Sequence, residues 1–96
     1  MTKPGRISCL VPFCRCTGKD PGRDGHEIIC AKHWRPVNAT LRRRYRRLFR
    51  RIDPLLELPT ARYPRDLQNE IVEGCRRLDA MWREIKRQAI EKAMGI

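Results

Sequence analysis

CLVPFCRC, Cys9 to Cys16, decides how this chain folds, together with CAKHW, Cys30 to Trp34. Three cysteines stand within one short stretch, and a Cys and a His follow at a spacing of three. Two chemistries use such a pattern, a disulfide staple and a metal site. A fully paired disulfide framework fits poorly, because the chain holds 5 cysteines, an odd number. The N-terminus, MTKPGRISCLVPF, is basic and lacks the apolar segment of a signal peptide, so the expected setting is a reducing cytosol, bacterial or host-cell. Clustered cysteines there serve more often as metal ligands or reactive thiols.

Structural zinc takes four ligands in a tetrahedron, mostly Cys thiolate and His nitrogen. Cys9 and Cys14 bracket Leu-Val-Pro-Phe, a length that suits a knuckle around one ion. Cys30 and His33 share one face of a single helical turn. These four residues are the expected ligands of one structural Zn2+. Cys16 competes with Cys14 for the second position, and Pro12-Phe13 favours Cys14. His26 is the reserve ligand. The segment around them, 9–35, is rich in Gly, Pro, Cys and charge, and can hardly collapse unaided.

Cys-x4-Cys followed by Cys-x2-His and Trp34-Arg35 resembles the treble-clef group of zinc fingers, including small proteins of phages and bacteria. The resemblance covers about residues 7–36. It implies a knuckle for the first ligand pair, a short hairpin, and a helix start for the second pair. Treble clefs also frame HNH nucleases, which need a histidine base and a catalytic metal beyond the structural ion. This chain has 2 histidines, so with His33 on zinc only His26 remains. Asp24 and Glu27 read as solvated loop carboxylates. A four-ligand zinc leaves no open position for water. The expectation is a protein without catalytic activity.

Beyond the module the pattern turns helical. Residues 38–52, NATLRRRYRRLFRRI, place Leu41, Tyr45, Leu48, Phe49 and Ile52 in one arc of roughly 100°. Arg42, Arg43, Arg44, Arg46, Arg47, Arg50 and Arg51 take the rest of the circumference. Asn38 or Thr40 suits the cap, and Asp53-Pro54 reads as the stop. Residues 53–63 form a proline-punctuated connection. Residues 64–94 read as one long helix, about 45 Å at 1.5 Å per residue. Pro64 suits its start, Asp66 its positive end and Gly95 its exit. Leu67, Ile71, Cys75, Leu78, Trp82, Ile85 and Ala89 form its apolar stripe. That stripe should pack on the arginine helix, on a second copy in a homodimer, or on both. HEIIC, His26 to Cys30, has the composition of a short strand, and residues 1–8 read as a loose basic arm. No apolar run is long enough for a membrane span.

The expected architecture is therefore small α+β and mostly α. A zinc-stabilised treble-clef-like module, 1–37, precedes a helical hairpin, 38–96.

Charge adds the functional expectation. The net charge is +11, and all of it lies in residues 1–52, which carry 14 basic and 3 acidic side chains. Residues 53–96 carry 8 of each. Such an imbalance points to a polyanionic partner, nucleic acid first, with DNA ahead of RNA. The expected contacts are Arg35 and the seven helix arginines, since guanidinium groups grip phosphates in bidentate fashion. A second reading is an adaptor or inhibitor that docks its arginines on an acidic surface of a host protein.

Overall fold

The computed structural model describes residues 5–19, 27–57 and 64–95. Among them lie two short strands and three helices: β1 (Arg6–Ser8), β2 (Thr17–Lys19), α1 (Ala31–Trp34), α2 (Ala39–Leu56) and α3 (Arg65–Ala93). The protein is thus a small mixed fold dominated by helix. His26 and Asp24 lie outside the described residues.

The strands pair antiparallel, with Arg6 opposite Lys19, Ile7 opposite Gly18 and Ser8 opposite Thr17. Residues 6–8 are therefore strand, not the loose arm that their composition suggests. The hairpin has the Cys9–Cys16 stretch at its tip, so it brackets the first ligand pair instead of following it. The Arg6 side chain reinforces the pairing by donating to the Thr17 hydroxyl and carbonyl at 3.2 and 3.0 Å. HEIIC also departs from expectation: among its described residues only Ile28 pairs, in a single parallel bridge to Cys9. The Leu10 N–H donates to the Ile28 carbonyl at 2.8 Å. Gly18 allows this approach, because a Cβ there would sit 2.7 Å from Ile28 Cδ1.

Two compact units make up the chain, Met1–Asn38 with Ile85–Ile96, and Ala39–Glu84. Among the described residues of the first unit, the buried apolar ones are Cys9, Val11, Val37, Ile85 and Ala89. The last turns of α3 belong here for visible reasons. Lys86 reaches Glu27 at 2.5 Å, and Gln88 Oε1 accepts the Asn38 N–H at 2.9 Å. Glu27 is thus ion-paired, not simply solvated. Gly95 leaves α3 with φ 74°, the left-handed exit that glycine supplies.

The second unit pairs α2 with the first five turns of α3. The arc expected for α2 is the one turned inward: Ile52 is buried, and Leu41, Tyr45, Leu48 and Phe49 are half-buried. Tyr45 stacks on Phe49 at 6.0 Å and meets Trp82 at 5.6 Å. The helix does not stop at Asp53-Pro54 but runs on to Leu56. Proline costs one backbone hydrogen bond there, only two residues before the end, while half-buried Leu55 prolongs the apolar stripe. Pro64 stands one residue before α3, and its carbonyl accepts the Gln68 N–H at 3.0 Å. Asp66 occupies the first turn.

Gly74 is the residue that lets the two helices of this unit close. A Cβ there would lie 2.4 Å from Ile52 Cδ1 and 2.6 Å from Cγ1. Gly74→Val should destabilise the unit by about 1–3 kcal/mol through overpacking, despite valine's better helix propensity. Ile52→Val in the same background should recover part of that loss. Urea unfolding of the single and double variants measures both effects.

Candidate metal centre

Three local structures converge on one point in the first unit. β1 delivers Cys9, whose N–H donates to the Cys16 carbonyl at 2.8 Å and so closes the hairpin tip. Inside that tip the chain turns at Val11-Pro12-Phe13-Cys14, with the Cys14 N–H on the Val11 carbonyl at 3.2 Å. Pro12 takes the second position of this turn. Phe13 takes the third with φ 68°, a positive value characteristic of a type II turn and normally left to glycine. α1 delivers the other pair. Cys30 is its N-cap, and Cys30 carbonyl accepts the His33 and Trp34 N–H groups at 3.1 and 2.9 Å.

The result gathers one donor atom each from Cys9, Cys14, Cys30 and His33, all within 4.8 Å of one another. Cys14 Sγ lies 3.7 Å from Cys30 Sγ. His33 Nδ1 lies 3.1 Å from Cys30 Sγ and 3.8 Å from Cys9 Sγ. These separations suit a tetrahedral zinc, in which bonds of about 2.3 Å to sulfur imply sulfur–sulfur edges of about 3.8 Å. The same spacings exclude a sulfur–sulfur bond of about 2.05 Å, and all five cysteines are free. The cluster could hold one metal ion, and its donor set, three sulfurs and one imidazole nitrogen, matches structural zinc. The Cys30 N–H also donates to Cys9 Sγ at 3.3 Å, a contact that supports a thiolate and orients the ligand.

The electrostatics of the three thiols differ. Burial pushes the Cys9 thiol up, against the Cys30 and Val11 backbone groups that lower it. For Cys14 the Cys16 backbone pulls down, and burial with the neighbouring Cys30 outweighs it, leaving the thiol raised. At Cys30 burial alone would raise the thiol, but the His33 backbone and the side chains of Cys14, His33 and Cys9 together lower it to about 6. Protons compete with the metal for these sulfurs. A depressed value favours the thiolate above it, so in the metal-free site Cys30 begins to take up a proton, and to add to the competition against metal, as pH falls through about 6. The apparent zinc affinity should therefore decline as pH falls from 8 and steepen below about pH 6, as read by a chromophoric zinc chelator. A decline with constant slope across that value would contradict the Cys30 environment.

The remaining expected residues fall into separate places. Cys16 is exposed and outside the cluster, which resolves the competition in favour of Cys14; Cys75 is half-buried on α3. Arg35 is exposed just past α1, and on α2 Arg43, Arg44, Arg46, Arg47, Arg50 and Arg51 are exposed while Arg42 is half-buried. Arg51 is engaged by Glu70, through its Nε at 2.7 Å and its terminal nitrogen. Arg43 reaches the Thr40 hydroxyl at 3.4 Å. Among the described residues no acidic side chain pairs with Arg44, Arg47 or Arg50. The positive φ of Phe13 is not evident from residue type. The available signal was Pro12 at the second position of a four-residue turn.

No protein-family profile, no curated protein and no solved structure matches this chain. Among the described residues no helix is long and apolar enough to cross a membrane.

Proposed function

We propose that this chain is a non-catalytic zinc protein of treble-clef-like type that binds nucleic acid through the arginines of α2. One observation carries the reading: the apolar arc of α2 is turned inward, which leaves Arg44, Arg47 and Arg50 exposed and without an acidic partner among the described residues. A solvated helix face usually mixes both signs, and here no acid interrupts residues 28–52. Guanidinium groups so displayed suit phosphates and, in a major groove, guanine edges. The zinc is structural in this reading. Its four ligands fill a tetrahedron and leave no site for a substrate.

The treble-clef assignment rests on the ligand order, with a knuckle giving Cys9 and Cys14 and a helix start giving Cys30 and His33. A native mass spectrum of the purified protein tests the zinc and the copy number together. Retardation of random-sequence DNA tests the partner. Absence of retardation, with stable capture on one acidic host protein, would replace nucleic acid by the adaptor reading.

A further inference from the structure

The most exposed large apolar side chain described is Phe13, at 99 %. It stands on the knuckle turn between Pro12 and Cys14, where its φ of 68° is a conformation that a bulky residue adopts only at a cost. Glycine would satisfy that turn without strain. A ring that stabilises nothing inside the fold, at a position that would fold better without it, needs an outside contact to account for it. With an ion bound, Cys9 before the turn and Cys14 at its end would anchor the backbone that carries the ring. The hairpin that carries it is basic in composition. Residues 5–19 contain Arg6, Arg15 and Lys19 and no acid, and Arg15 and Lys19 are exposed.

A flat apolar face on a cationic support suits a partner that combines negative charge with flat aromatic faces, which is an unpaired nucleobase on its phosphate backbone. In a duplex those faces are stacked on each other and out of reach. Tyr45 and Phe49 do not serve this purpose, because they are half-buried against each other and Trp82. We infer that Phe13 is a stacking platform for one unpaired base, so that the knuckle reads single-stranded or locally opened nucleic acid. The inference rests on the proposed nucleic-acid reading and adds to it a second contact, independent of the arginine helix and selective for strandedness.

The test uses the zinc-loaded full chain and a short DNA oligonucleotide carrying 2-aminopurine, as single strand and as duplex. Wild-type protein should alter the 2-aminopurine fluorescence of the single strand. Phe13→Gly removes the ring and relieves the turn, so it should retain its metal. It should bind the single strand about 5- to 100-fold more weakly, with duplex affinity nearly unchanged. Phe13→Trp should restore single-strand binding and Phe13→Leu should not, which separates stacking from a general apolar contact. Single-strand binding by Phe13→Gly within twofold of wild type would overturn the inference while leaving the arginine reading intact. So would an equal loss on both probes, or full rescue by Phe13→Leu. Should wild type bind neither probe, the proposed function itself fails, and the platform with it.

Discussion

Removal of the metal, or the single change Cys30→Ser, is expected to abolish the folded state of the first unit. The reason is the thinness of what else holds it. Among the described residues its buried apolar side chains are Cys9, Val11, Val37, Ile85 and Ala89, and the first of these is itself a candidate ligand. The hairpin contributes strands of three residues each, too short to stand alone. Against this, structural zinc supplies roughly 10–16 kcal/mol at neutral pH in small modules, comparable to or larger than the whole stability of a typical domain. Cys30 is the most consequential of the four ligands. It stands at the N-cap position of α1, donates its N–H to Cys9 Sγ, and its Sγ lies 3.1 Å from His33 Nδ1. A serine there suits the helix start and loses the soft ligand. The measurement is zinc content together with amide dispersion in an NMR spectrum, before and after chelation. Signals of residues 5–19 and 27–38 should collapse in the variant and in the chelated protein. Cys16→Ser, outside the cluster and exposed, should keep both zinc and dispersion. Retained dispersion in the chelated protein would sink the assignment of the cluster as a structural centre.

The second large effect concerns salt. If about six phosphates are neutralised, the binding constant for duplex DNA should fall with a log–log salt slope of about −5. Arg44→Gln, Arg47→Gln and Arg50→Gln together should reduce that slope to about −2.5, since each lost phosphate contact removes about 0.9. At 0.1 M salt the same counterion arithmetic amounts to a loss of two to three orders of magnitude in affinity. These three positions are exposed and glutamine is a good helix former, so stability should move by less than about 0.5 kcal/mol. Arg83→Gln, in the charge-balanced half, serves as the control and should scarcely change the slope. An unchanged slope in the triple variant would remove α2 from the contact.

Much of the metal centre was legible before any coordinates. Cys9, Cys14, Cys30 and His33 could be picked out because zinc ligation is a problem of donor type and short-range spacing, and both are written in the order of residues. The same holds for α2 and α3, where a period of 3.6 separates Leu41, Tyr45, Leu48 and Ile52 from the arginines. Element ends were less legible. Pro54 reads as a stop, yet α2 continues to Leu56, because the burial of Leu55 offsets one lost hydrogen bond. The strand expected in HEIIC reduces to the bridge at Ile28, and strand appears instead at Arg6–Ser8. Three-residue strands carry too few side chains for an alternation to be seen.

Linear order was sufficient to propose Cys9, Cys30 and His33 with Cys14 or Cys16 as the candidate ligands, to place the excess charge before Asp53, and to show which face of each long helix is apolar. All three follow from residue type and local periodicity. Folding was needed to exclude Cys16 in favour of Cys14, to engage Arg51 with Glu70, to expose Phe13 fully, and to make Gly74 the close approach beneath Ile52. Those outcomes depend on distances between residues far apart in the chain, or on a backbone angle set by ring closure around the knuckle. The distances are encoded in no local window, and the Phe13 angle has there only the turn signal of Pro12.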